Sequence, residues 1–465
     1  MNFRYVTKLV CSLMCSAALL VCPVPSRAAL FGEFTLKDEM EMGREFDALV
    51  RSSMPLVEDP EVRNYVQDIV NRIVGTLPPQ PYKFRTSVLL EPSLNAFATP
   101  GGFVFVHTGL IQNLNHESEL AGVLAHEIAH VTQRHIAKRM ERGQVVSLAT
   151  LAAAVAGLAA GGGGAAMVAA GAAGSAAMLN YSRADESDAD RFGLRYLTEA
   201  GYNPAGLSGA FRNIQELSWG RAGAIPTYLS THPGITERLS LLEAHLKSLP
   251  RAQRDRRDDD RRFLRVRTLI WARYGDAQHA EQVFSSMSAK EPMRFLGMGI
   301  LSARRNRVPE AREAFDRALR LAPRDELILR EAGIFQYNMG DAGQARKLLE
   351  TALRLDPDDY MGLFFYARLL DDSGQSDKAL QTYGKVLRHV PEDAEVHTYY
   401  GRSLGKNNQP FAGYLHLAYA ALYSNDGRRA DSWLDKARPL AVTEAEKRDL
   451  THFEEKLSAR RKLWK

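Results

Sequence analysis

Residues 115–136 read NHESELAGVLAHEIAHVTQRHI, and within them His126-Glu127-Ile128-Ala129-His130 forms an HExxH element in a chain with only 12 histidines among 465 residues. Asn115 is a good N-cap, Glu117 and Glu119 fall in the first turn, and Leu120, Leu124, Ile128 and Val131 make an apolar face, so the spacing predicts an amphipathic helix. Residues four apart on a helix differ by about 40° around its axis, so His126 and His130 project from one side, one turn apart. Two imidazoles placed so can share one tetrahedral ion, and a closed structural site would have no use for the free carboxylate of Glu127 between them. His135 lies nine residues from His126, about half a turn round, and is expected to point away from that side.

Two ligands do not hold a catalytic zinc. The extended form HExxHxxGxxH is absent, because Gln133 and Ile136 stand where Gly and His would be needed. The third ligand should be a carboxylate on a later helix, and residues 182–191, SRADESDADR, offer Asp185, Glu186 and Asp188, among which spacing alone does not choose. Upstream, Phe103-Val104-Phe105-Val106 follows the Pro100-Gly101-Gly102 turn and reads as a short strand leading to the HExxH helix.

Further towards the start, Arg4 and Lys8 precede an apolar run from Leu9 to Val24 that ends in Ser26-Arg27-Ala28, the pattern of a secretory signal peptide cleaved after Ala28. All three cysteines (Cys11, Cys15, Cys22) lie inside residues 1–28, so the mature chain has no thiol and any metal must be held by His, Asp or Glu. Removing this segment lowers the formal charge from +5 to +2, and nothing in that balance points to nucleic acid. With 45% hydrophobic and 25% charged residues the composition is ordinary globular, and the length calls for two or three domains.

Between the histidines and residue 182, the stretch 145–179 carries no charge and contains Gly161-Gly162-Gly163-Gly164. A glycine run breaks a helix, so the stretch reads as two short helices on a hinge that overhang the site, as a lid or as an element touching a membrane surface or a partner, rather than as a span. At Arg251 to Arg262 a run of mixed charge without a large apolar residue reads as a solvated connector. Beyond it Pro323, Pro357 and Pro391 recur every 34 residues, the period of tetratricopeptide repeats. Small residues recur where paired helices approach closely: Gly299, Ala311 and Ala318, then Gly333, Ala345 and Ala352, then Ala367 and Ala379. Tyr360, Phe364, Phe365, Tyr399 and Tyr400 at helical spacing read as core within the repeats before groove anchors. The expected architecture is a domain over 29–250, a connector over 251–262, and an α-solenoid of four to five helix pairs over 263–465, closed by a polar helix over 444–465.

The HEIAH element, the Glu186-Ser187-Asp188-Ala189-Asp190 element, and Asn95-Ala96-Phe97-Ala98, Gly101-Gly102 and Thr108-Gly109-Leu110 upstream together resemble the HExxH zinc metallopeptidases of the HtpX and CAAX prenyl protease type, best in their soluble, repeat-bearing, periplasmic branch. The resemblance implies a mostly α chain, an α+β zincin-like metallopeptidase domain followed by the tetratricopeptide solenoid. It implies one Zn2+ per chain held by His126, His130 and Glu186, with Asp190 orienting a ligand histidine and Glu127 as general base. Thr231-His232-Pro233 through Arg238 also resembles the family, where a His-Pro element and a later Arg lie near the metal. His232 would then either donate to the oxyanion or fill the fourth zinc position and shut the enzyme off, although by residue chemistry alone a His before Pro would cap the next helix. In such peptidases the strand at residues 103–106 lies at the sheet edge and pairs with extended substrate.

The resemblance further implies a peptidase in the periplasm of a Gram-negative bacterium that degrades misfolded or stalled outer-membrane β-barrel proteins, with the repeats docking substrates or the barrel-assembly machinery. The rival expectation is a chaperone or assembly adaptor for outer-membrane proteins whose peptidase is largely latent.

Overall fold

The computed structural model describes residues 34–141, 181–220 and 227–461. The expected signal peptide, the uncharged stretch at 145–179 and the last four residues of the expected closing helix lie outside the described residues.

Helix α1 (Leu36–Ser53) starts at a capping box between Thr35 and Asp38, and α2 (Pro60–Val74) starts where Asp59 caps a helix with proline at its first position. Three strands come next, β1 (Arg85–Leu89), β2 (Ala96–Thr99) and β3 (Phe103–His107), in the order β1-β3-β2, with β3 parallel to β1 and antiparallel to β2. The strand expected at the edge is therefore the central one. All five residues of β3 are buried: Phe103 and Phe105 pack under α1 with Phe46 and Val50, while Val104 and Val106 join the main core on the other face. A strand apolar on both faces is stable only when covered on both. The edges are β1, bridged on its outer side at Leu89 by Leu56, and β2. His107 donates its N–H to Asn95 O at 3.1 Å, so by antiparallel alternation Ala96 and Ala98 turn their backbone N–H and C=O groups outward.

Beyond the sheet lie α3 (Thr108–Asn113), the HExxH helix α4 (Glu117–Thr132), α5 (His135–Glu141), α6 (Arg183–Glu199), α7 (Gly206–Gly220), α8 (Thr227–Thr231) and α9 (Ile235–Ser248). Helix α4 is buried from Ser118 to Val131. Glycines let its neighbours approach: a Cβ on Gly193 of α6 would stand 3.0 Å from His126 Cα, and one on Gly122 of α4 would stand 2.6 Å from Leu207 N of α7. Asn115 does not cap α4. Asp260, far along the chain, does, its Oδ1 accepting the Glu117 N–H at 2.8 Å and its Oδ2 facing His116 Nδ1 at 2.7 Å.

The charged run at 251–262 thus lies pinned to the first half. It holds a short helix α10 (Arg251–Arg254), Asp258 accepts from Asn203, and Arg256 donates to Thr198 O. The repeat helices come as pairs: α11 (Arg261–Tyr274) with α12 (Ala277–Ser286), α13 (Pro292–Arg304) with α14 (Val308–Leu321), α15 (Glu326–Asn338) with α16 (Ala342–Leu355), α17 (Tyr360–Asp372) with α18 (Ser376–His389), and α19 (Ala394–Lys406) with α20 (Pro410–Tyr423). Then come α21 (Gly427–Ala437) and α22 (Glu444–Arg461). The first helices of three successive pairs begin at Glu326, Tyr360 and Ala394, in step with the proline period. Tyr360 and Phe364 are buried and Phe365, Tyr399 and Tyr400 pack against them, so these rings are core.

The two halves share a charged seam. Phe263, Val266 and Ile270 of α11 enter the core of the first half. Arg330 of α15 reaches Glu61 at 3.0 Å, Glu331 at 2.9 Å and Asp359 at 3.2 Å, and Arg273 pairs with Asp59 and with Glu331. Among the described residues no helix is long and apolar enough to cross a membrane.

Candidate metal centre

His126, His130, Glu186 and His232 are buried, and one donor atom from each lies within 4.8 Å of the others. His126 and His130 come from successive turns of α4, their Nε2 atoms 3.0 Å apart. Glu186 comes from the first turn of α6, where Ser182 and Asp185 form the capping box and Asp188 faces outward to Arg191. Of the three acids that spacing left open, only Glu186 is turned inward. Its Oε1 is 3.0 Å from His232 Nδ1 and 3.6 Å from His130 Nε2, and its Oε2 is 3.5 Å from His126 Nε2.

Asp190, one turn beyond Glu186, stands 3.0 Å from His126 Nδ1, the ring atom opposite the cluster. Arg238, in the first turn of α9, donates to both oxygens of Asp190 at 2.7 Å and reaches Glu186 Oε2 at 2.5 Å. His232 does not cap that helix; the N-cap is Gly234, at φ 80°, and His232 turns into the cluster instead. The ring of Tyr228 stacks on His232 with centroids 4.4 Å apart.

Glu127 is fully buried beside His232, with Oε1 3.5 Å from His232 Nε2. Neither of its oxygens makes a fully formed hydrogen bond, although the Ala98 N–H on the outward edge of β2 faces the carboxyl. Burial pushes Glu127 up to about 7. Burial also pushes Glu186 up, but His232, hydrogen bonds from His126 and His232, and the charge of Arg238 outweigh it and hold that carboxyl well below the usual range. Burial, with His126 beside it, holds His130 well below the ordinary imidazole value, leaving its ring neutral.

Three residues near the cluster escaped the sequence. His135 does not point away: its Nδ1 lies 2.9 Å from His130 Nδ1 and it is buried. The expectation failed because α4 ends at Thr132 and Arg134 takes a left-handed φ of 56°, which swings α5 back. Tyr181 stacks on His130 with centroids 3.7 Å apart, and Tyr228 covers His232. An aromatic just ahead of the Ser182 cap, and one four residues before His232, were the available signals.

Residues 58–246 match the model of peptidase family M48, and residues 336–403 match a tetratricopeptide repeat model. The chain is 33% identical over 211 residues to the beta-barrel assembly-enhancing protease of Yersinia pestis, covering 44% of this chain and 43% of that protein. It is 31% identical over 197 residues to the mitochondrial metalloendopeptidase OMA1 of Schizosaccharomyces pombe, covering 42% of this chain and 56% of that protein. It is 33% identical over 179 residues to the metalloprotease YcaL of Escherichia coli, covering 38% of this chain and 66% of that protein. The matched region spans under half the length of the beta-barrel assembly-enhancing protease.

Proposed function

From a chain that carries a peptidase family M48 domain ahead of tetratricopeptide repeats, we propose a zinc-dependent endopeptidase acting on protein substrates and held latent by His232. The observation that carries the reading is the buried cluster of four donors with the Glu127 carboxyl beside it. The donors suit zinc, being imidazole nitrogens and a carboxylate, and the unsatisfied oxygens of Glu127 are placed for a proton-bearing partner. His126, His130 and Glu186 would hold the ion, with Asp190 and Arg238 fixing His126 and Glu186. When bound, zinc supplies a Lewis acid that polarises the scissile carbonyl and brings a water's pKa to about 7. Glu127 takes the proton of the attacking water and returns it to the leaving amine. Ala96 and Ala98, on the outward edge of β2 but buried in this closed arrangement, would pair with extended substrate through main-chain hydrogen bonds once the site opens, contacts that read little of its side chains.

His232 Nδ1 stands among the other three donors, and four protein donors make a closed site of the structural kind. Cleavage then requires His232 to swing away from Tyr228. This favours the regulatory role of His232 over oxyanion stabilisation, and it supports a second reading: an assembly adaptor whose peptidase rarely opens. Residues 29–250 are taken as the peptidase domain, 251–262 as the connector and 263–465 as the solenoid, with residues 1–28 as a signal for export to the periplasm.

The relative named a beta-barrel assembly-enhancing protease supports outer-membrane β-barrel proteins as clients and the barrel-assembly machinery as partner of the repeats. A polar cleft of about 940 Å³ between α2 and the repeats, lined by Asp68, Arg262, Asp325, Asp358 and Tyr360 among others, offers those partners a surface. The test is casein cleavage with bound zinc quantified, for the mature chain, His232→Ala and Glu127→Gln. Zinc near one per chain, with cleavage rising in His232→Ala and absent in Glu127→Gln, supports the latent peptidase. Zinc without cleavage in all three favours the adaptor.

A further inference from the structure

We propose that His135 is the positioning residue of His130: its Nδ1 accepts the Nδ1–H of His130 and so fixes the tautomer and ring plane in which His130 Nε2 faces the donor cluster. The inference rests on the proposed role of His130 as a metal ligand. A neutral imidazole has one N–H and one lone pair, so a ring that offers Nε2 to a metal carries its proton on Nδ1. In a buried site that proton needs an acceptor, because an unmet buried donor keeps the full cost of its desolvation. For His126 the Asp190 carboxylate stands 3.0 Å from Nδ1, near enough to draw its proton but without the angle of a formed hydrogen bond. His130 has His135 Nδ1, at 2.9 Å.

The chain secures this contact at some conformational cost. A non-glycine residue at φ 56° crowds its Cβ against the following carbonyl, and Arg134 adopts that φ to reverse the backbone between α4 and α5. Its guanidinium is anchored on both sides, Nε donating to Glu39 Oε1 at 2.6 Å and Nη2 to Phe34 O at 3.0 Å, and Glu39 is itself buried. Strain held by dedicated contacts beside a cluster of donors marks a position where geometry serves function. Tyr181, stacked on His130, blocks the ring from turning about its long axis.

The experiment compares zinc affinity of the full chain by chelator competition at one fixed pH for the parent, His135→Leu and His135→Gln. Leucine removes the acceptor, and affinity should fall about 10- to 100-fold; the glutamine carbonyl can accept, and affinity should return to within about threefold of the parent. Leucine binding zinc as tightly as the parent, or glutamine binding as weakly as leucine, overturns the proposal. A second measurement needs no variant: in the zinc-loaded parent labelled with 15N-histidine, His130 Nδ1 should carry the proton and His135 Nδ1 should be bare. The reverse assignment overturns the proposal even if His135→Leu fails to fold. A parent that binds no zinc would overturn the metal reading itself, an outcome distinct from tight binding that ignores residue 135.

Discussion

Arg238 grips Asp190 through two hydrogen bonds of 2.7 Å, with both side chains buried. The same guanidinium meets Glu186, so one cation from α9 holds two carboxylates of α6 that themselves face His126. Removing the cation strands buried charge, which costs far more than an exposed pair would. Arg238→Leu is expected to lower the unfolding free energy of the metal-free chain by about 3–5 kcal/mol in denaturant titration. Arg238→Lys keeps the charge but loses the two-pronged geometry, so it should cost less stability and still weaken zinc binding about 10- to 100-fold. A lysine variant that binds zinc like the parent would mean that charge alone suffices.

Gly193 sets how near the helix of Glu186 and Asp190 comes to the helix of His126. In an unconstrained helix, Gly→Ala stabilises by about 1 kcal/mol. Here the new methyl would stand 3.0 Å from His126 Cα and 3.1 Å from its N, both backbone atoms that cannot rotate aside. The sign should therefore reverse: Gly193→Ala is expected to destabilise by about 1–3 kcal/mol and to weaken zinc binding as α6 backs away. Thermal unfolding decides it, since a higher midpoint in the variant would show that α6 has slack.

The repeats were legible because their information is local and periodic: Pro323, Pro357 and Pro391 mark the turns, and the helices begin at Glu326, Tyr360 and Ala394 as the 34-residue step requires. The pairing of His126 with His130 was equally local, a matter of one helical turn. Glu186 was not separable from Asp185 and Asp188, because which acid turns inward depends on how α6 packs on α4 through Gly193. His135 was misplaced by carrying one helix through Arg134, and an arginine gives no sign that it will adopt a left-handed φ. The run Phe103-Val104-Phe105-Val106 did contain its answer, since a strand apolar at every position asks for cover on both faces. Asp260 capping a helix 143 residues away has no local signal at all.

Arg330 ties the repeats to the first domain. Its guanidinium is buried among Glu61 of α2, Glu331 beside it and Asp359 of the next repeat, and all three acids lose their shared cation if it is removed. Burial pushes the Asp359 carboxyl up even with Arg330 in place. Arg330→Met is expected to separate one cooperative unfolding event into two, the repeats melting before the first domain, because the seam that couples them carries uncompensated charge. Calorimetry of parent and variant checks this; a single transition in both would mean that the apolar contacts of Phe263, Val266 and Ile270 couple the halves unaided.

Acid should loosen the last complete repeat before the rest. His397 and His416 face each other, Nδ1 to Nδ1, at 2.8 Å, and His397 Nε2 meets Pro391 O. Burial depresses both imidazoles, His416 to about 3, with Asp393 and Glu392 opposing and Lys456 adding to the shift of His397. A histidine whose folded pKa is depressed binds fewer protons folded than unfolded. Its contribution is therefore complete above the ordinary value of 6.5 and is lost as pH falls from there towards the folded pKa. A fully shifted group costs about 1.4 kcal/mol per pH unit in that window. Hydrogen-exchange protection, taken against the intrinsic rate at each pH, should fall in α19 and α20 between about pH 7 and pH 5 while that of α15 and α16, which contain no histidine, holds steady. In His416→Phe the loss of protection should shrink by the share of His416. Equal loss of protection across all repeats would place the acid sensitivity elsewhere, in the carboxylates of the charged seam.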